Sequence, residues 1–462
     1  MYVGSKKILK VPAFDLDWID LDGTALALLP GGGGSTKSGV KNQIQLVSPD
    51  EAGLVYTSLD GYLTDVENGS SGGSSGLCSG ICTGMLSNGV KVVCTLIDDR
   101  FLLLGIEKAS SRSSSTSSSS SKSKNGQPCY LFTRLAEVKA DFSAEVPTVN
   151  CCTVVSVATT ECLDTICRRV THDYILTGGQ DGVVRLWKVY PENGDDGDDL
   201  RYSVTKVADL GKHDGAVMSI AFHDDNDTQW AVSASRDGMV KLWDIAERKQ
   251  LADVPYVSDG ISGSGSAVGG RAQAAQCRGA CFAKGIDAIN SDNGLPMYSI
   301  QSGTKGPTHL IRWKVAVKEG ETKAVVTPDK VLHVSKIPAT RLAISPDGLF
   351  LAVGCADGTI HVFRTHTSLV RYTYFTCHDL PVTGLAFAPS HLATRAGAVA
   401  LVASGSADNR FAVMPLGGYS VWFTSIARLL FLLIILFLLL AAAAVFFKTG
   451  PFEQFIPRIV VS

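Results

Sequence analysis

Residues Ala231–Ile245 read AVSASRDGMVKLWDI. Small residues lead into Asp237-Gly238, and Val240, Leu242 and Trp243 follow at strand spacing. Asp-Gly between two β-rich runs specifies a tight hairpin. Three further segments repeat the pattern: Ile175–Val189 (ILTGGQDGVVRLWKV), Leu351–Thr365 (LAVGCADGTIHVFRT) and Leu401–Pro415 (LVASGSADNRFAVMP). Their key aspartates, Asp181, Asp237, Asp357 and Asp408, stand 56, 120 and 51 residues apart. The 120-residue gap holds two units, because its middle carries a degenerate copy, Tyr298–Val315, with Trp313 in the aromatic position. Self-similarity at this period marks an array of supersecondary units that stack to bury a shared core.

The small-residue run, the Asp-Gly turn and the terminal aromatic resemble the WD-repeat family, whose repeats form four-stranded blades of a β-propeller. Ser233, Asp237 and Trp243, with His213 upstream, match that family's hydrogen-bonded blade tetrad. Asp181 and Trp187 match part of it, as does Asp357; His378, Ser404 and Asp408 match it without the Trp. These are structural blade residues. A catalytic Ser-His-Asp reading is set aside, since the same trio recurs as a fold element. Five units occupy about 150–416. The first 150 residues have room for two more, one built from DLDWID, TALALL, NQIQLV and GLVYTSL, the next from ICTGML, VKVVCTLI, RFLLLGIE and CYLFTRLAEV. Both rest on alternation and spacing alone. The expected fold class is therefore all-β: a seven-bladed WD-repeat β-propeller over residues 1–416, followed by a single C-terminal transmembrane helix.

That helix follows from one run. Leu429–Phe447 is 19 residues without a polar side chain, about 28 Å as a helix, enough for a bilayer core. It explains a positive mean hydropathy of +0.17. The expected order is a tether at 417–426, the membrane helix at 427–447 and a short lumenal tail at 448–462. No apolar stretch of signal-peptide length opens the chain, so the N-terminal domain is expected in the cytosol. The 12 cysteines fit a reducing compartment: none forms a CxxC pair, no metal-ligand cluster is legible from their spacing, and they read as reduced and packed in strands. The run at 110–124 (SSRSSSTSSSSSKSK) reads as a disordered insertion between strands. A net charge of -2 argues against a nucleic-acid partner, which requires a basic surface.

One segment is too long for its place. Between TALALLP and NQIQLV lies Gly31–Asn42, GGGGSTKSGVKN. A hairpin needs two to five residues; here there are 12, five of them glycine. A phosphate-binding P-loop requires Gly directly before the Lys and a helix after it; Thr36 precedes Lys37, and a β-alternating run follows. Two readings remain: a flexible surface loop, or a protruding binding loop whose glycines turn backbone carbonyls around a cation or press the backbone onto a partner, with Asn42 fixing the base through its amide.

The arrangement of an N-terminal strand, GGGG-x4-G-x2-N, a WD-repeat propeller and a C-terminal anchor resembles a particular family. It is that of the endoplasmic-reticulum WD-repeat guanine-nucleotide exchange factors for the Sar-type GTPase of COPII coat assembly, the prolactin regulatory element-binding protein family. Gly31, Gly32, Gly33, Gly34, Gly39 and Asn42 match its glycine-rich loop. The resemblance implies a cytosolic propeller on the endoplasmic reticulum membrane with a Sar-type small GTPase as partner, and no nucleic acid or small-molecule substrate. It implies K⁺ held through Gly31, Gly32, Gly33 and Asn42, and a GTPase-binding stretch of Gly33, Gly34, Ser35, Thr36, Lys37, Ser38, Gly39 and Asn42. No nucleotide is bound directly and no bond chemistry occurs, so the protein is not an enzyme in that sense. The alternative is a membrane-tethered WD-repeat adaptor without exchange activity, whose partners would use the propeller faces.

Overall fold

The three Asp-Gly turns and the Asp408-Asn409 turn are built the same way. The carboxylate of each key aspartate accepts a hydrogen bond from the backbone N–H two residues on: Val183 to Asp181 at 3.0 Å, Met239 to Asp237 at 2.8 Å, Thr359 to Asp357 at 3.1 Å and Arg410 to Asp408 at 3.0 Å. This local bond closes the turn before any tertiary contact is made. At Gly358 (φ +78°) a side chain would stand 2.1 Å from the His378 carbonyl oxygen, so the turn needs glycine both for its left-handed backbone and for its contact with the chain entering the next blade.

The computed structural model describes residues 6–417 except 35–38, 51–55, 65–75, 110–128, 164–165, 193–200, 226–227, 255–274, 286–287, 289–293, 304–305, 318–322 and 366–368, together with residues 430–441. Its strands form seven four-stranded antiparallel sheets. Blade 1 contains β2 (Asp17–Leu21), β3 (Thr24–Gly31), β4 (Gln43–Pro49) and β5 (Tyr56–Leu63). Blade 2 contains β6 (Cys78–Met85), β7 (Lys91–Ile97), β8 (Arg100–Lys108) and β9 (Tyr130–Lys139). Blade 3 contains β10 (Val149–Leu163), β11 (Ile166–Gly179), β12 (Val183–Glu192) and β13 (Arg201–Lys212). Blade 4 contains β14 (Val217–Asp224), β15 (Gln229–Ser235), β16 (Val240–Asp244) and β17 (Lys249–Val254). Blade 5 contains β18 (Ala275–Phe282), β19 (Leu295–Gly303), β20 (Thr308–Val317) and β21 (Ala324–Ser335). Blade 6 contains β22 (Ala339–Ile344), β23 (Phe350–Cys355), β24 (Thr359–Arg364) and β25 (Val370–Thr376). Both N-terminal blades form from the strands expected of them.

Blade 7 is composite. β26 (Val382–Phe387), β27 (Ala400–Ser406) and β28 (Arg410–Leu416) are completed by β1 (Lys6–Ile8), which pairs antiparallel with β28 from Lys6↔Ala412 to Ile8↔Arg410. A three-residue strand (KKI) carries almost no sequence signal, so this closure was not expected as such. The first strands of neighbouring blades contact one another around a ring, with β2 meeting both β6 and β26. Between each adjacent pair of blades lies one apolar cluster. At the closing seam Trp18, Tyr56 and Phe411 pack with ring centroids 5.4–6.5 Å apart.

Up-and-down topology fixes which connections share an end. The turns joining second to third strands, including the Asp-Gly turns, lie at one end with the links between blades. The first-to-second and third-to-fourth turns lie at the other. The 12-residue segment joins β3 to β4 and so belongs to the Asp-Gly end. The Ser-rich segment 110–124 joins β8 to β9 and falls outside the described residues. β28, a third strand, runs away from the Asp-Gly end and delivers Leu416 to the opposite one. Beyond it, residues 430–441 are helical and exposed. No helix among the described residues is long and apolar enough to cross a membrane; the remainder of the expected span at 427–447 lies outside them, as do the tether from 418 to 426 and the tail at 448–462.

Candidate functional site

β3 and β4 pair as far as Gly31↔Gln43, and the chain between them departs from the blade. Its base is held by one buried side chain. Asn42 is 1% exposed. Its Oδ1 accepts from the Gly34 N–H at 3.0 Å and its Nδ2 donates to the Gly34 carbonyl at 3.2 Å. Its own carbonyl accepts from the Thr64 N–H at 3.0 Å. The amide thereby presents a donor and an acceptor to the same peptide unit's neighbourhood, in the manner of a strand partner. Gly32 (φ +148°) lies so close that a side chain there would stand 2.1 Å from Asn42 Oδ1.

A second buried amide braces the loop from behind. Gln45 Oε1 accepts from the N–H groups of Lys10 and Val11 at 2.9 and 3.2 Å, and its Nε2 donates to the Val11 carbonyl at 3.1 Å. Ala13 forms an isolated bridge with Gly31, and the Phe14 N–H donates to the Pro30 carbonyl at 2.9 Å. The segment leaving β1 therefore backs the loop, which links the site to ring closure. Gln45 was not singled out in advance; its signal was a glutamine at a buried position of a strand whose two faces are both covered.

The site residues expected from the sequence are distributed as follows. Gly31 and Gly32 are buried, Gly33 and Gly34 half-buried, and Gly39 exposed with φ +74°. Val40 and Lys41 are exposed. Ser35, Thr36, Lys37 and Ser38 lie outside the described residues. In blade 4, His213 Nδ1 is 3.1 Å from Asp237 Oδ2, its Nε2 is 2.8 Å from Ser233 Oγ, and Trp243 Nε1 donates to Ser233 Oγ at 2.8 Å. Burial alone would raise the Asp237 carboxyl, but hydrogen bonds from His213 and the Met239 N–H outweigh it and hold it below its usual range. In blade 7, His378 lies 3.2 Å from Asp408 and 2.8 Å from Ser404; burial dominates there and pushes the imidazole below its usual value. Trp187 donates to Thr177 and Trp313 to Ser299, both at 2.8 Å. Asp181 pairs with Arg185 at 2.6 Å. These sets are interior struts of their own blades, the blade 7 set standing next to the loop-bearing blade 1 across the closing seam, and Asp357 serves its own turn.

One grouping corrects the sequence reading. Spacing gave no metal-ligand cluster, yet Cys82, Cys94 and Cys152 converge with their sulfurs within 4.8 Å of one another. They are 12 and 58 residues apart in the chain, and adjacent blades bring them together, which no local motif could reveal.

Fold and repeats together define a WD-repeat β-propeller. The WD domain, G-beta repeat family matches residues 148–188, 204–244 and 330–364. Within that class the chain is SEC12-like. It is similar to the protein named guanine nucleotide-exchange factor SEC12 from Rattus norvegicus, 23% identical over 374 residues covering 79% of each chain. The Mus musculus protein of the same name is 22% identical over 373 residues, again 79% of each. Among solved structures the fold matches a chain of the mitotic checkpoint complex (TM-score 0.51, 10% identity, 90% of this chain and 94% of that one). It also matches a chain of the COPII outer coat vertex on membranes (TM-score 0.51, 14% identity, 88% and 85%).

Proposed function

We propose that the protein is a guanine-nucleotide exchange factor that promotes GDP release from a Sar-type small GTPase at the endoplasmic reticulum membrane and so initiates COPII vesicle formation. The observation that carries this is the loop at Gly31–Asn42. It replaces a tight blade turn with a 12-residue glycine-rich segment, yet its base is locked by Asn42 and braced by Gln45. An idle surface insertion needs neither device. The names of the SEC12 relatives support the same reading.

Exchange makes and breaks no covalent bond. A factor that binds nucleotide-free GTPase more tightly than nucleotide-loaded GTPase weakens nucleotide binding by the same ratio, and each tenfold requires about 1.4 kcal/mol of preference. The wedge is Gly33–Gly39, whose glycines would let the backbone approach the GTPase closely, with Lys37, outside the described residues, as the partner of a GTPase carboxylate. The loop also fits the K⁺ that the resemblance implies. Glycine carbonyls and a carboxamide are the neutral oxygen donors a large monovalent cation takes, and Gly32 is packed directly on Asn42 Oδ1, where a side chain would displace it. Gly31, Gly32, Gly33 and Asn42 would hold the ion, and its charge would draw their oxygens together and stiffen the loop.

The apolar run at Leu429–Phe447 supports the placement on the membrane by a single pass, with the propeller on the cytosolic side as part of the same proposal. The chain leaves the propeller at the end opposite the loop, so the loop points away from the side on which the anchor departs. Ten tether residues at 417–426, up to about 34 Å when extended, leave the propeller room to turn toward a GTPase at the bilayer. The test is GDP release from purified Sar-type GTPase with the full-length chain in detergent micelles or bilayer discs. Acceleration that falls with Asn42→Ala, and falls when Na⁺ replaces K⁺, is expected. No acceleration would leave a WD-repeat adaptor; acceleration indifferent to both changes would remove the loop mechanism.

A further inference from the structure

Cys82 lies on β6 directly opposite Cys94 on β7. Cys152 lies on β10, the first strand of the next blade. Cys82 and Cys152 Sγ are 3.1 Å apart, and Cys152 Sγ is 3.9 Å from the Cys94 carbonyl oxygen. Cys94 is fully buried and the other two are largely enclosed. Other described cysteines make different contacts: Cys78 meets Thr95 Oγ1 at 2.8 Å, Cys151 the Gly178 carbonyl at 3.6 Å, and Cys377 the Met414 sulfur at 3.4 Å. Isolated thiols of that kind pack as small apolar groups. Three sulfurs facing one point from three strands do more.

We propose that Cys82, Cys94 and Cys152 form a binding site for a thiophilic d¹⁰ cation, Zn²⁺ or Cu⁺, that staples blade 2 to blade 3. Thiolates are the ligands such ions select. A zinc–sulfur bond of about 2.3 Å places tetrahedral thiolates ~3.8 Å apart, so sulfurs already within 4.8 Å need only small rotamer adjustments. Three thiolates complete a trigonal Cu⁺ site, or leave Zn²⁺ one position for water. No His, Asp or Glu joins the cluster among the described residues, so the donor set is entirely sulfur and discriminates against K⁺, Mg²⁺ and Ca²⁺. Binding releases the thiol protons to solvent. The site is independent of the exchange reading: it lies between blades 2 and 3, whereas the loop joins β3 to β4 in blade 1.

The full-length chain, purified under reductant and stripped with chelator, is titrated with Cd²⁺ while the thiolate-to-metal charge-transfer band is followed. Separate samples are loaded with Zn²⁺ or Cu⁺, passed through a sizing column and assayed for bound metal. The wild type is expected to retain one equivalent more than Cys82→Ser or Cys152→Ala, and Cys129→Ser, outside the cluster, to match the wild type. The readout without variants is alkylation: metal should slow labelling of Cys82 and Cys152 together in the wild-type chain, located by peptide mass. Equal metal retention in wild type and both variants, with no metal-dependent protection, would overturn the proposal. So would a Cys82–Cys152 disulfide found in protein kept under reductant.

Discussion

Asn42 offers a direct test of the loop base because its side chain bridges both polar groups of Gly34. Asn42→Ala removes the acceptor for the Gly34 N–H and the donor to its carbonyl, found at 3.0 and 3.2 Å. Each such bond contributes about 1 kcal/mol net, and because Gly34 is half-buried water can replace both partners, so the larger penalty for an unmet buried group does not apply. The loss of about 2 kcal/mol falls on loop closure and not on the seven-bladed ring. It corresponds to a roughly thirtyfold rise in the open fraction of the loop base. Hydrogen exchange at the Gly34 amide is the direct assay: protection should fall by that factor, while the blade amides stay as protected as in the wild type. Asn42→Asp sharpens the test. It keeps an acceptor for the N–H but sets an oxygen against the Gly34 carbonyl, so the folded loop favours the protonated acid, which donates as the amide did. Its folded pKa then lies above the unfolded value of about 3.9, and the native state binds more protons between the two values. The variant should be closest to wild type in acid and lose protection as pH rises through its folded pKa. If Gly34 protection is unchanged in Asn42→Ala, the clamp is not what orders the loop.

Other outcomes follow from the blades. Trp243→Phe removes the bond to Ser233 Oγ from a fully buried position and should cost about 1–3 kcal/mol in denaturant unfolding; a change under a few tenths would show that the tetrad is not a strut. His378 has a folded pKa below its unfolded value, so the unfolded chain binds the extra proton. Stability should therefore be intact above about pH 6.5 and decline as pH falls toward the folded pKa, and His378→Gln should flatten that slope in melts across the range. Deleting residues 1–8 removes β1 and leaves the edge of β28 bare; it should lower the melting temperature and promote association visible by light scattering, whereas unchanged melting would mean that the seam is held by its apolar cluster alone.

The repeats were legible because turn chemistry is local. Asp181, Asp237, Asp357 and Asp408 close their own hairpins, and the small residues before them and the aromatics after them recur with the blade. Blades 1 and 2 lack Asp-Gly at the turn between second and third strands but keep strand alternation. The loop between β3 and β4 stood out by length, and Asn42 by its place at the end. Contacts made across the ring were not legible. β1 finds its partner about 400 residues on, and its sequence KKI carries no apolar face. Gln45 reaches back 34 residues to Val11, and Cys152 meets Cys82 only because blades 2 and 3 are neighbours. Such pairings depend on the closed circle.

The seam between β1 and β28 also sets an order of events in the life of the chain. A ribosome releases Lys6–Ile8 before the other strands of the propeller and Arg410–Leu416 after them, so β1 must wait unpaired while six complete blades assemble beside it. Only 12 residues separate Leu416 from Leu429, where the apolar run begins. The last strand of the propeller and the segment proposed to enter the bilayer therefore emerge almost together. Blade 7 remains an open edge, ready to pair with a foreign strand, until the moment of membrane delivery, and the slowest pairing in the fold, the one with the greatest sequence separation, falls at that step.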